Sequence, residues 1–157
     1  MVAALATQVF LDTYATHGIR PDMAREVFEE YSGPAFAARL SEARRRFLLA
    51  VTGEAIVGFA ELLLPPVTSP IPSVSGSELV RLYVQPRAQR SGTGTRLLRE
   101  AERMCSTASL WLTAWDRNTA ALAFYRRAGY FEAGETTYTF QGNSYTNRVL
   151  VKRLDAH

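Results

Sequence analysis

Six consecutive residues, Gln89-Arg90-Ser91-Gly92-Thr93-Gly94, are the stretch of this chain best suited to chemistry. They follow a short apolar run, Glu78-Leu79-Val80-Arg81-Leu82-Tyr83-Val84, and open a helical pattern that reaches about Cys105. A strand, a tight turn with glycines and a helix N-terminus make an anion site: glycine lets backbone N–H groups approach a ligand, and the helix dipole favours negative charge there. Spacing excludes two common phosphate motifs. A dinucleotide fingerprint needs a third glycine at 97, where Leu97 stands, and an acidic residue about 20 positions on. A P-loop needs Gly-Lys-Ser/Thr, and the only lysine of the chain is Lys152.

The elements that must position this stretch can be read in order. Residues 3–16 have helical spacing through Leu5, Val9, Leu11 and Tyr14, stopped by Gly18. Pro21 starts a second helix with Met23, Val27, Phe28 and Tyr31 on its apolar side. A third runs from about Ala35 to Arg45, with Arg44-Arg45-Arg46 suited to its C-terminal dipole. Phe47–Val51 and Ala55–Leu64 read as a hairpin around Thr52-Gly53-Glu54, and 65–76 as a mobile Pro/Ser surface loop. Period-2 alternation over Glu78–Val84 puts Glu78, Val80, Leu82 and Val84 on one face and Leu79, Arg81 and Tyr83 on the other. The next helix turns Leu97, Leu98, Ala101, Met104 and Cys105 inward. Leu110–Trp115 is a central strand, Asn118 or Thr119 caps a helix over Ala120–Ala128, and Gly129 ends it. Extended chain follows to Phe140, a hairpin turn over Gln141-Gly142-Asn143-Ser144, and a last strand Tyr145–Leu154.

The totals bound the function. The length of 157 residues suits one domain over 1–157, and 47% apolar with 21% charged residues is ordinary for a globular protein. No apolar run approaches the ~18 residues of a membrane span, and no secretory leader pattern is seen at the start. One cysteine, Cys105, excludes an intrachain disulfide and a cysteine metal cluster; it fits a reducing cytosol, so a cytoplasmic location without membrane association is the expectation. The net charge of +3 is uneven: residues 1–77 carry 6 Arg against 8 Asp/Glu, and 78–157 carry 12 Arg/Lys against 7 Asp/Glu. A polyphosphate on the basic half and a cation on the other would suit that asymmetry, as would a solvated surface with a chance imbalance. No aromatic platform accompanies the arginines, so nucleic acid is not expected as a partner.

Three separated motifs carry a resemblance. The strand Glu78–Val84 with Pro86 and Gln89-x-x-Gly92-x-Gly94, followed by Leu112-x-x-Trp115-x-x-Asn118-x-x-Ala121-x-x-Phe124-Tyr125-x-x-x-Gly129-Tyr130, is similar to the core of the GCN5-related N-acetyltransferases. The later Phe140-x-Gly142 hairpin resembles the bacterial spermidine/spermine branch, although Asn143-Ser144-Tyr145-Thr146-Asn147 stands where that branch carries an acidic pair and Gln-Thr-Asp. The resemblance implies an acyl-CoA N-acyltransferase fold: a single α/β (α+β) domain with a mixed, mostly antiparallel sheet and splayed central strands. The family normally begins with a strand before its first helix, whereas this chain starts almost in the helix, so that either that strand is missing or something else covers the sheet edge.

The same resemblance implies acetyl-CoA as cosubstrate. Pantetheine would lie along the backbone of Leu82, Tyr83 and Val84, and the pyrophosphate on Gln89, Arg90, Ser91, Gly92, Thr93, Gly94 and Thr95, with Arg87 and Arg90 as charge partners. Asn118 would bind the cofactor amide or a water, or serve as a plain N-cap. Tyr125 would be the acid that protonates the CoA thiolate, or a residue of the apolar helix face. Glu78, acting through water, would be the general base, or an ordinary exposed strand carboxylate; Tyr83 is a fallback, and His17, near a loop expected over the acceptor site, is more often a structural helix-end histidine. An amine needs such a base because a pKa near 10 leaves roughly 0.1% of it neutral at pH 7.

Acceptor walls would come from Tyr14, Phe28 and Tyr31, with Asp22, Glu26, Glu29 and Glu30 offering charge to a cation or forming a solvated helix face. The reading is a transfer of acetyl to a primary amine, a small amine or polyamine, by direct attack in a ternary complex. A CoA-binding sensor without turnover, and a protein N-terminal or lysine acetyltransferase, are the alternatives. No metal is implied, and the protein would be a monomer or homodimer.

Overall fold

A computed structural model describes residues 1–140 and 142–154. The chain begins with three helices: α1 (Val2–Tyr14), α2 (Pro21–Glu30) and α3 (Gly33–Leu40). Pro sits in the first turn of α2 and of α3, where its missing N–H costs nothing, and the hydroxyl of Ser32 caps α3 by accepting from Ala35 N at 3.2 Å. Strands β1 (Arg45–Thr52), β2 (Ala55–Leu63) and β3 (Ser77–Val84) follow, then α4 (Thr93–Met104), β4 (Ser109–Trp115), α5 (Thr119–Arg127), β5 (Phe131–Phe140) and β6 (Asn143–Arg153). Among the described residues no helix is long and apolar enough to cross a membrane.

The six strands form one sheet in the order β1-β2-β3-β4-β6-β5, every neighbouring pair antiparallel except β3–β4. Its two faces are covered differently. Leu62, Leu79, Leu110, Leu112 and Leu150 meet Leu97, Leu98 and Ala101 of α4 and Leu122 and Tyr125 of α5. On the opposite face Phe47, Phe59 and Tyr83 meet Leu5, Val9 and Phe10 of α1, Met23 of α2 and Phe36 of α3. Burial of these side chains, worth roughly 1.5–3 kcal/mol each, is what holds α1–α3 to the sheet.

Four expectations are corrected. The arginine run does not end α3, which stops at Leu40; Arg45 and Arg46 belong to β1. The 65–76 loop is not merely surface: Val74 is buried, and Val67 and Ile71 pack with it on Trp111, Val149 and Val151, covering the half of the face that the helices leave open. The loop closes against Ser109, whose carbonyl would lie 2.3 Å from a Cβ on Gly76, so only glycine fits there. Met104 is exposed, because α4 ends with it. Finally, a bulge sets Leu79 opposite Leu62 and Arg81 opposite Glu61, leaving Val80 as the extra residue. It breaks strict alternation, so Leu79, Leu82 and Val84 share the α4–α5 face while Glu78 joins Arg81 and Tyr83 on the other. Of the turn expected over 141–144, Gln141 lies outside the described residues; Asn143 and Ser144 are already in β6.

Candidate active site

Strands β3 and β4 pair only through Ser77–Leu110 and Glu78–Trp111 and then part. The gap opens into a cleft of about 1570 Å³. Leu82, Tyr83 and Val84 form one wall, and Trp115, Asn118, Phe124 and Tyr125 the other. Val9, Thr13 and Tyr14 of α1 reach it from across the sheet, and α4 meets it at its N-terminus.

That N-terminus is built to receive an anion. Arg90 and Gly92 both have positive φ, +59° and +82°, which turns the chain sharply into α4. Gly92 is the N-cap and offers no side-chain acceptor; the first helical bond runs from Arg96 N to the Gly92 carbonyl at 3.0 Å. The N–H groups of 93–95 therefore have no partner within the helix and a half-unit of positive dipole behind them. Gln89, Arg90, Gly92, Gly94 and Thr95 line the cleft. Ser91 and Thr93 do not: their hydroxyls bond to each other at 2.8 Å, Ser91 also donates to the Ala88 carbonyl at 2.6 Å, and Thr93 is buried. Arg87 is exposed outside the cleft, whereas Arg90, Arg99, Arg117 and Arg127 lie along it. The cleft also contains Asp12 and Glu102, but Lys152 bonds both oxygens of Glu102 at 2.9 Å. The balance is cationic, suited to a polyphosphate.

Asn118 caps α5, its Oδ1 accepting from Ala121 N at 3.1 Å, so the cap reading holds while the residue also faces the cleft. Tyr125, 8% exposed, has its phenol pushed well above the ordinary range by burial and secondarily by Tyr14. Tyr14 is pushed up to about 12, by burial first and then by Tyr31, Tyr138 and Tyr145. Tyr83 lies well above its usual value because it is desolvated, so its phenol stays protonated at neutral pH and it is a poor base.

Glu78, Tyr31 and Phe28 stand apart from the cleft wall. Phe28 is 79% exposed and forms no wall. Tyr31 is buried behind Tyr83, hydroxyl to hydroxyl at 3.0 Å. His17 is exposed, its Nδ1 3.0 Å from the Thr16 hydroxyl. Glu78 is half-buried on the helix-covered face, its carboxyl raised by burial against the lowering pull of Arg45 and Arg81. Of the four α2 carboxylates, Glu29 and Glu30 are exposed. Asp22 accepts from Asn143 at 3.1 Å and pairs with Arg20, which in turn donates to the Tyr145 hydroxyl at 3.0 Å. Glu26 is buried, with the Tyr138 hydroxyl 3.4 Å away. These contacts clasp the α1–α2 connection to the β5–β6 hairpin.

Sequence reasoning missed Glu61, Arg45 and Arg81. Glu61 is wholly buried, and both arginines pair with it, Arg81 at 2.6 Å. The signal was a single carboxylate interrupting the apolar run 57–67.

Comparison with known proteins agrees with this geometry. Residues 13–130 match the model of the acetyltransferase (GNAT) family. An uncharacterized N-acetyltransferase in the pepI 3′ region of Lactobacillus delbrueckii subsp. lactis is 26% identical over 155 residues, covering 96% of this chain and 89% of that protein. The PaiA N-acetyltransferase of Thermoplasma acidophilum, solved with coenzyme A, superposes with a TM-score of 0.70 at 21% identity over 96% of this chain and 89% of its own. The ribosomal-protein-S18-alanine N-acetyltransferase of Escherichia coli gives 0.65 at 20% over 99% and 88%. Parted central strands, an uncapped helix N-terminus at one end of the gap and a match through Tyr130 lead to one assignment: the chain belongs to the acetyltransferase (GNAT) family of N-acetyltransferases.

Proposed function

We propose that this chain, read as one domain, transfers acetyl from acetyl-CoA to a small primary amine bound beside Tyr14 and Trp115. The observation that carries the reading is that the uncapped start of α4 and the buried hydroxyl-bearing side chain of Tyr125 open on the same cleft. The residues fit acetyl-CoA: backbone N–H groups at 93–95 and Arg90 suit the pyrophosphate, and the unpaired edge of β3 at 82–84 suits the amide-bearing pantetheine arm.

The chemistry assigned to the protein is proton management. Glu78, through water, accepts the proton of the ammonium group; the free nitrogen then attacks the thioester carbonyl. A backbone N–H of the parted β3 edge donates to the oxyanion. Burial keeps Tyr125 protonated, as a donor must be. Its hydrogen bond to the sulfur becomes a transfer as the C–S bond breaks, and the second proton lost by the nitrogen restores the phenol. The products are the amide, CoA thiol and one proton.

A small acceptor is supported by the contacts Asp22–Asn143, Arg20–Tyr145 and Glu26–Tyr138, which tie α2 and the residues before it to the β5–β6 hairpin. The names of the Lactobacillus delbrueckii and Thermoplasma acidophilum proteins carry no polyamine, and the acceptor is assigned no further than a primary amine. Acetyl-CoA consumption over a panel of small amines and N-terminal peptides tests the reading. Turnover of at least one small amine is expected; CoA binding without turnover of any acceptor would sink it in favour of a sensor module, and turnover of peptides alone would favour the protein-modifying alternative.

A further inference from the structure

Outside the cleft wall, the face under α1–α3 carries a second polar centre. Glu61 of β2 is fully buried yet accepts from Arg45 of β1 and from Arg81 of β3. Arg81 is fixed further: its guanidinium carbon lies 5.5 Å over the Tyr31 ring and 5.8 Å over the Phe36 ring. Arg45 also donates to Glu42 at 2.6 Å. Glu78 is brought to this group by the bulge at Val80 and stands where β3 and β4 make their last pairing, Glu78–Trp111. The charged groups that bear on it are Arg45, Glu61 and Arg81; Arg81 also acts on Glu26 of α2, and Trp111 of β4 brings no charge. Two guanidinium groups beside a lone carboxylate would hold it ionised and unable to accept a proton until low pH. Here both are already bound to Glu61.

We propose that Glu61 is a positioning residue for the transfer: by engaging Arg45 and Arg81 it keeps both guanidinium groups from pairing with Glu78, so that their pull on that carboxylate is only partial and it remains able to accept a proton. The inference rests on Glu78 being the base. A buried ion pair contributes little net stability over an apolar replacement, so stability alone is a weak reason for burying three charges here. Setting the basicity of a neighbour is a role that an apolar replacement could not fill.

The pH profile of kcat/KM for the amine, measured at saturating acetyl-CoA, tests it. In Glu61→Gln the freed arginines turn to Glu78, and the acid limb moves down by about one pH unit or more. In Arg45→Gln, a change at a partly exposed side chain that keeps the Arg81–Glu61 pair, the limb moves up. Glu61→Asp, which keeps the charge, stays with the parent. If Glu61→Gln does not fold, the Arg45→Gln profile decides alone. Acid limbs that coincide in all folded variants, while Glu78→Gln abolishes turnover, overturn the inference and leave the base assignment standing. Full activity in Glu78→Gln removes that assignment and the inference with it.

Discussion

The side-chain amide of Gln89 donates to the carbonyl of Val84 at 3.0 Å, tying the anion loop to the last residue of β3. The bond joins the two surfaces proposed above to hold acetyl-CoA, the strand edge and the start of α4. Gln89→Ala is expected to raise KM for acetyl-CoA several-fold, on the scale of about 1 kcal/mol for one lost hydrogen bond, with kcat changed less. Initial rates at varied acetyl-CoA check this. An unchanged KM would mean the loop holds its shape without the tie.

Tyr125 is buried and protonated, and its side chain faces the cleft. Tyr125→Phe removes one oxygen and keeps the ring against Phe124 and Tyr130, 5.2 and 5.6 Å away between centroids. Fold and acetyl-CoA affinity should stay within a few-fold of the parent, and kcat should fall by about 10²-fold or more, the usual worth of a positioned acid. Steady-state kinetics beside CoA titration separate the two quantities, and an undiminished kcat would return Tyr125 to the helix's apolar face.

Much of this architecture was readable in the sequence because its signals are local. The apolar spacing of α4 up to Ala101, the Asn118 cap and the Gly129 stop each act within a few residues, and all appear where expected. The parts that misled are long-range. The bulge at Val80 depends on the register with β2, some 20 residues earlier, and it moved Glu78 to the opposite face from the one alternation gave it. Glu61 finds its arginines 16 residues before and 20 after it, so no window along the chain contains the group. The 65–76 loop lacks periodicity because Val67, Ile71 and Val74 fit the exposed face of three strands rather than a helix or strand of their own. The cleft wall was legible for 82–84 and 89–95 as a stretch, while only packing revealed that Ser91 and Thr93 turn their hydroxyls to each other.

Gly92 and Gly53 both have positive φ, +82° and +59°, and both have open space where a Cβ would sit. Replacing either with Ala therefore costs backbone strain alone, roughly 1–2 kcal/mol, or about 2–4 °C in Tm per kcal/mol for a chain of this size. Only Gly92 presents the N–H groups of α4. Gly92→Ala and Gly53→Ala should lose similar Tm, and only the former should lose CoA affinity. Equal affinity in both would detach the loop from cofactor binding.

Glu78 should show the cost of its placement in the stability of the fold. Burial raises its carboxyl, with Glu61 adding to the rise and the arginines opposing it. A carboxyl raised in the folded state is easier to ionise once unfolded, so its penalty is absent below the unfolded value near 4.3 and is fully felt above the folded value. Glu78→Gln cannot ionise. It should melt higher than the parent at neutral pH, and the gap should close as pH falls through the folded value towards 4. The same titration predicts that kcat/KM of the parent rises with pH through a value above the ordinary glutamate range, since only the carboxylate accepts the proton of the ammonium group. Melting curves from pH 4 to 8 on both proteins measure the first effect and initial rates the second. A Tm gap independent of pH would show that Glu78 sits in the fold with no ionisation cost, and would remove the reason for placing the acid limb of the rate there.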